Sequence, residues 1–487
     1  MTGAVESITD KGGEAEPSPD GTQILLIEDD GRQIVFAGSR GESPRTFVRA
    51  PAGEIFASVH WLPGGKRIGY LRGVNFAPNA WIETRDIGGA DVRPVLQANI
   101  WSVAFAPDGK VFYTTHDGEP QQSVSLWTVS IDPNTGARAG EPTRVARWPG
   151  AATAEPLTIS ADGRRIGLTK HFAQSDVYLL SLDVTGKAVT ASRQLTTDTQ
   201  VDWPAQWTHD GRSFLFSSGR TGSLRAFRQP IDSEAPQAIG TTGAAVRSPR
   251  MTADGKWIVY VEMTYEPPAA RIMRMPAGGG PAEQVMTLSS TVATGTLQFF
   301  AAEIGAAGTG ALSFPDIRCP SAFDGSCVMA ELRESGGDPL AQLAVSAFEP
   351  LTGRIRPLAT LTPRNSAALM SWDVSPDGRT IAFAEFGWSG GDRITLVSSD
   401  KNVNRVVEVN GFKNIADIAW APDGRSLFAT TATVHGSELL HVLLDGSAFL
   451  LRRFQSQSLF APRPSPDGRS LLVGLQQDNS NAWAIDR

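Results

Sequence analysis

Between Ile418 and Thr430 the chain reads Ile-Ala-Trp-Ala-Pro-Asp-Gly-Arg-Ser-Leu-Phe-Ala-Thr. Apolar residues at alternating positions (Ile418, Trp420) run into a Pro-Asp-Gly turn, and a second alternating run (Leu427, Ala429) leaves it. Period-two alternation on both sides of a turn predicts two short strands in a tight hairpin. Asp423 can accept a hydrogen bond from the backbone ahead of it and Gly424 can take positive φ, so turn chemistry and strand pattern agree.

The unit recurs. Its turn appears again at Ser18-Pro19-Asp20-Gly21, Leu62-Pro63-Gly64-Gly65, Ala106-Pro107-Asp108-Gly109, Ser160-Ala161-Asp162-Gly163, Thr208-His209-Asp210-Gly211, Thr252-Ala253-Asp254-Gly255, Ser375-Pro376-Asp377-Gly378 and Ser465-Pro466-Asp467-Gly468. Successive turn glycines lie 44, 44, 54, 48 and 44 residues apart up to Gly255, then 46 and 44 from Gly378 onward. That is the period of a four-stranded propeller blade. The 123 residues from Gly255 to Gly378 leave room for a degraded unit around Asp324-Gly325-Ser326-Cys327-Val328-Met329-Ala330, which makes ten units with the nine clear ones. The predicted fold is all-β, an array of about ten four-stranded blades.

Third strands follow at Ser125–Val129, Asp176–Leu180, Arg225–Gln229 and Arg271–Met275, and outer strands at Arg193–Thr196 and Ala282–Met286. In Arg271-Ile272-Met273-Arg274-Met275 the alternation places the arginines on a solvated face. The last unit ends at its third strand, Ala482–Ile485, and a short first strand, Val5–Thr9, has nothing before it to pair with. An uncovered strand edge is avoided in soluble proteins, so one of two closures is expected. Either a four-blade region (1–190) precedes a six-bladed ring (191–487) closed by Arg193–Thr196, or a single ten-bladed ring (1–487) is closed by Val5–Thr9. Residues Ile131–Arg147 and Thr287–Pro320 read as insertions that decorate one face.

Composition narrows the function. Gly (49), Pro (32) and Trp (12) are frequent, as short strands joined by many turns require. A net charge of -7 gives no electrostatic reason to seek nucleic acid or anionic lipid. Met1–Ser18 shows neither the basic nor the apolar region of a secretory leader, and no window has the ~18 apolar residues of a membrane helix. Only Cys319 and Cys327 are present, and their spacing fits either one small disulfide or two unrelated thiols.

The repeats resemble the TolB-like propeller family, also described as WD-like Pro-Asp repeats. The resemblance spans nearly the whole chain and rests on the Ser-Pro-Asp-Gly turns, on Ser217-Ser218-Gly219-Arg220-Thr221-Gly222 before a third strand, and on the ending Ser480-Asn481-Ala482-Trp483-Ala484-Ile485-Asp486. The run from Trp203 through Cys319 and Cys327 to Ala347-Phe348-Glu349-Pro350-Leu351-Thr352-Gly353-Arg354 is similar, more narrowly, to the C-terminal propellers of bacterial receptor serine/threonine kinases and winged-helix regulators. That resemblance implies an extracytoplasmic or periplasmic module that senses a ligand or binds a protein or peptide, with a kinase or winged-helix domain upstream in relatives. The kinase motifs themselves, a Gly-rich loop with its Lys, His-Arg-Asp and Asp-Phe-Gly, do not occur here.

One catalytic pattern matches by letter: Gly387-Trp388-Ser389-Gly390-Gly391 fits the nucleophile elbow G-x-S-x-G. That chemistry needs a strained turn from strand to helix over a parallel sheet, whereas Ile381–Phe386 and Arg393–Val397 read as adjacent strands of one blade, with Ser389 in their hairpin. A prolyl-oligopeptidase-like hydrolase, whose propeller is fused to a catalytic domain, is the alternative function, but the repeats leave no room for that domain. The six histidines (His60, His116, His171, His209, His435, His441) have no zinc-site spacing, and the repeated aspartates each have a turn bond of their own to make. Trp61, Trp207 and Trp420, each three residues before a turn Asp or its equivalent, read as inner-strand packing. The expectation is a non-catalytic binding or sensing module with no cofactor, no metal and no catalytic residue.

Overall fold

The computed structural model describes residues 14–486 except 30, 53, 75–79, 117–122, 150–152, 222–223, 241–244, 266–267, 289–314, 336–337, 363–369, 386–392, 399–403 and 434. Among them every regular element is a strand, in eight four-stranded antiparallel sheets and one of five strands. The chain is a multi-bladed β-propeller. In each four-stranded sheet the strands pair in chain order, as a meander that begins with the strand entering the repeated turn.

Two compact units result, one of residues 1–172 with 480–487 and one of residues 173–479. Division at 172/173 and again at 479/480 differs from the single boundary expected at residue 190. The smaller unit holds sheets spanning 15–49, 54–98 and 100–149. Its last sheet takes Thr153–Ile159, the start of the strand Arg165–Leu182 and the end of the strand Ser470–Asp486. Arg165 donates there to Asp486 at 3.0 Å, and Ile485 packs on the cluster of Ala104, Leu126, Leu157 and Leu168. The run Ala482–Ile485, expected as the third strand of the chain's last blade, therefore belongs to the smaller unit. A single 17-residue strand, Ser470–Asp486, serves both units. The candidate closing strand Val5–Thr9 lies outside the described residues.

The larger unit has sheets spanning 202–239, 245–287, 316–361, 370–408 and 415–455. Its sixth sheet is built from both ends of the unit: Ser458–Pro464 and 471–476 from one end, 178–182 and Val189–Gln194 from the other. Leu182 N donates to Arg469 O at 2.9 Å where the two ends meet. The degraded repeat is a full blade. Its turn is set by Asp324, which accepts from Ser326 N, and Cys327–Ser335 follows as the second strand.

The turns explain why the repeated letters recur. Asp467 accepts from Arg469 N at 3.0 Å and from Ser465 Oγ at 2.6 Å, while Ser465 Oγ accepts from Ser470 N at 3.0 Å. The same three bonds form at Ser160/Asp162, Thr208/Asp210, Thr252/Asp254 and Ser375/Asp377. A hydroxyl two residues upstream therefore closes the turn from both sides. Gly378 takes φ +71, and a Cβ there would collide with the Phe323 ring, so both conformation and space demand glycine.

The core lies as wedges between consecutive sheets. Phe214 and Phe216 pack on Val177 and Leu472, Leu215 and Ala226 on Val246 and Tyr260, and Ala382 and Leu396 on Ile418 and Leu440. Side chains of one first strand also bond the backbone of the next. Gln206 Oε1 accepts from Met251 N at 2.8 Å, Asp373 Oδ2 from Trp420 N at 2.8 Å and Asp417 Oδ2 from Ala461 N at 2.7 Å. In the smaller unit Glu16 Oε1 accepts from Trp61 N at 3.0 Å and Ser102 Oγ from Leu157 N at 3.0 Å. The first strand is the free edge of its sheet, which leaves these N–H groups open to the neighbour; several first strands also carry a bulge, and Ala461, at φ +48, sits in one.

Two local expectations change. The 131–147 insertion is tied down, with Asp132 capping its turn and Thr84 Oγ1 donating to Gly136 O at 3.0 Å, because it packs on the preceding sheet of its own unit. Arg274 is not a solvated charge. It pairs with Glu283 at 2.7 Å, donates to Pro350 O and Leu351 O of the next blade, and lies over the Trp257 ring.

Ser465→Ala should cost about 1 kcal/mol, since it removes both bonds of a buried hydroxyl and leaves Ser470 N and Asp467 without it. Urea denaturation should show the loss as a lower midpoint with an unchanged slope. An unchanged midpoint would mean that the turn is held by Asp467 and Gly468 alone.

Candidate functional site

First strands of the larger unit bring a set of charged side chains into one place. Arg250, Arg318, Asp373 and Arg463 come from four different sheets and line a cavity of about 330 Å³. Its other walls include Trp207, Trp420, His209 and the prolines Pro376, Pro422 and Pro466, which precede turn aspartates or follow first strands. A smaller chamber of about 60 Å³ shares Arg250, Arg318 and Arg463 and adds Arg247, Asp316 and Asp417.

The charges are not equally engaged. Arg318 is doubly paired, with Asp316 at 2.5 Å and Asp373 at 3.1 Å, donates to Trp372 O, and stacks over the Trp372 ring. Asp417 is buried and accepts from Ile418 N, Ala461 N and Ser371 Oγ. Among the described residues Arg463 donates to backbone alone, to Ala205 O at 3.0 Å and Pro462 O at 2.9 Å. Arg250, 4% exposed, donates to Pro249 O and approaches Asp316 no closer than 3.8 Å. Burial, and then the nearby Arg318 charge, push the Arg250 guanidinium down from its ordinary value, and the same two causes lower Arg463. For Asp316, burial works upward but the guanidiniums of Arg318 and Arg250 outweigh it and hold the carboxyl below its ordinary value. Four arginines face three aspartates around the two chambers, and two of the four have no close carboxylate.

The tryptophans read from sequence as packing have a second role. Trp207 Nε1 donates to Arg463 O at 2.9 Å and so fixes the strand that carries Arg463. Trp420, 5% exposed, has an indole N–H with no acceptor, as does Trp372. Of the histidines, His209 lines the cavity, His60 meets Glu16 at 2.6 Å in the smaller unit, and His435 is exposed. His441 sits between Gly186 O and Ser426 Oγ, and burial lowers its pKa. The side chains of His116 and His171 and the whole of Ser389 lie outside the described residues. Sequence reasoning missed Arg250, Arg318 and Arg463. The signal was their register: Gln206, Arg250, Asp373 and Arg463 all stand four residues before a turn aspartate.

Cys319 and Cys327 are joined as a disulfide across the first turn of the irregular blade. Cys319 directly follows Arg318 and itself lines the cavity, so the bond anchors the strand end that carries the central arginine. A second charged cluster surrounds Arg220, which pairs with Asp198 at 2.7 Å and Asp202 at 3.0 Å. Asp202 is fully buried and its carboxyl is raised, chiefly by burial; Asp176 nearby is raised to about 6 by burial and by the charge of Asp198. Among the described residues, no group of three or more His, Cys, Asp or Glu could hold a metal ion, and no helix is long and apolar enough to cross a membrane.

No protein-family model and no curated protein matches the chain. Among solved structures it is similar to a putative TolB from Agrobacterium tumefaciens, with 16% identity over 62% of this chain and 98% of that one and a TM-score of 0.44. It is also similar to a gluconolactonase from Xanthomonas campestris (13% identity, 67% of this chain, 98% of that one, TM-score 0.39) and to TolB from Acinetobacter baumannii (15% identity, 73% and 79%, TM-score 0.25).

A raised folded-state pKa at Asp202 means that the native protein keeps this proton to higher pH than the unfolded chain does. The stabilisation is complete below pH ~4, the unfolded carboxyl's range, and is lost as pH rises through the folded value. Asp202→Asn removes that loss and should make the variant the more stable protein at pH 8, by ~1–2 kcal/mol, with little difference at pH 4. Parallel denaturation curves at the two pH values check this, and a variant less stable at both would show that the carboxyl is ionised in the fold. Replacing both cysteines by serine should lower stability by ~2–3 kcal/mol, read as a drop in thermal midpoint. No drop would mean that the irregular blade holds Arg318 without the bond.

Proposed function

We propose that this chain is a binding module without chemistry of its own, which takes an extended protein or peptide segment into the cavity of its larger unit. The observation that carries this reading is the cavity's construction: indoles and proline rings at its walls and guanidiniums without close carboxylates among them. Ligand sites combine an apolar lining with a few converging polar groups, and aromatic and Arg side chains dominate binding energy where proteins meet. A sensing role, as in the propellers of bacterial receptor kinases and winged-helix regulators that the sequence resembles, is the same activity coupled to a neighbour. The Cys319–Cys327 bond supports a working place outside the reducing cytoplasm.

A phage-displayed random peptide library panned on the purified chain tests the reading. Selected peptides should bind the wild type and weaken about 30-fold or more on a Trp207→Ala/Trp420→Ala variant, the loss expected of a buried aromatic anchor. Peptides that bind the variant equally well would move the interface elsewhere, and hydrolysis of the selected peptides would make the chain an enzyme.

A further inference from the structure

The geometry points to a free carboxylate as the group recognised in the cavity, delivered as the C-terminus of an extended peptide, with Arg250 and Arg463 as its partners. The inference rests on the binding-module reading and adds the chemistry of the ligand. It begins from which charges are already engaged. Arg318 holds Asp316 and Asp373, and Asp417 is surrounded by two backbone N–H groups and the Ser371 hydroxyl. Asp373 also accepts from Trp420 N, so the aspartates at the cavity have their partners. The cations do not. Among the described residues no carboxylate comes within 4.0 Å of Arg463, and Arg250 has only the 3.8 Å approach to Asp316.

A guanidinium buried without a hydrogen-bonded anion is costly, because removal from water is repaid only by a well-placed opposite charge. Arg250 is buried, and Arg463 is half-buried with its Nε and one Nη directed at carbonyls, so each retains N–H donors for an anion. The shape and count of that anion follow. Among the described residues Arg250 and Arg463 are cations at the cavity without a hydrogen-bonded carboxylate, and a single carboxylate with two acceptor oxygens can serve both. A carboxylate is planar with two acceptor oxygens, the geometry that guanidinium forks match. Trp207, Trp420 and Pro422 line the same cavity. Their apolar faces suit the last side chain of a chain end rather than a free inorganic ion. A volume of about 330 Å³ lies at the small end of the range that takes ligands, roughly 300–1,000 Å³, so a tail of a few residues enters and the rest of the partner stays outside.

The test compares two pools of N-acetylated tetrapeptides of mixed sequence, one with free C-terminal carboxylates and one amidated, with acetate and inorganic phosphate as small-anion probes. Binding is read by affinity-selection mass spectrometry on the wild-type chain, so no variant has to fold for the comparison to be made. The free-acid pool should be retained with at least a tenfold preference over the amides. Arg463→Gln should abolish the preference and Arg463→Lys should restore part of it, while acetate should compete only weakly. Equal retention of acids and amides, still lost in the Trp207→Ala/Trp420→Ala variant, would overturn the carboxylate and leave the binding module standing. Phosphate that displaces the peptides at lower concentration than acetate would overturn the peptide C-terminus in favour of a small-oxyanion site. If neither pool is retained, both the carboxylate and the binding reading of this cavity fall.

Discussion

Everything in the larger unit depends on bonds made from one first strand to the backbone of the next. A blade satisfies its ladder internally, so backbone bonds between neighbouring blades are confined to points such as Val246 N to Leu224 O and Ala322 N to Pro376 O, and apolar wedges fill the rest. Wedges are non-directional. The side chains of Gln206, Asp373 and Asp417 supply the direction, each taking a backbone N–H in the following sheet. Buried N–H groups left open on the free edge of a first strand are expensive, so these acceptors are demanded by the fold.

That demand shapes the cavity. Carboxylates enter the middle of the ring as structural acceptors, and Arg318 enters to balance two of them. The same first-strand register also carries Arg250 and Arg463, which the carboxylates do not reach closely. Scaffold and recognition surface are thus one layer of side chains, with the anions turned into the backbone and two cations remaining for something else.

The fold was legible because its signal repeats: a Ser or Thr, an Asp and a Gly in fixed order, each answering a specific bond in the turn. Even the blade at Asp324 showed through, since Asp324 and Gly325 survive there. The cavity was not legible, because the register four residues before the turn aspartate is occupied by Gln206, Arg250, Asp373, Ala419 or Arg463, and no single residue type marks it in every blade. A propeller brings that position together from different blades while the sequence keeps its members more than forty residues apart. Trp207 and Trp420 were visible but ambiguous, because an indole that lines a cavity and one that fills a wedge occupy the same strand position. The crossing of Ala482–Ile485 to the smaller unit was invisible for a different reason: which sheet each half of a strand joins is decided by long-range pairing, not by its local pattern.

The sixth sheet of the larger unit, assembled from 178–194 and 458–476, also sets a schedule for biosynthesis. Residues 178–182 leave the ribosome long before 471–476 are made, and at roughly 5–20 residues per second the wait is about 15 to 60 s. Through that interval the edge of 178–182 carries apolar Leu180 and open backbone groups with no native partner yet in existence. Nascent chains of this protein therefore carry an open strand edge for most of the interval between the two ends of the unit, an exposure that the stability of the finished unit does not shorten.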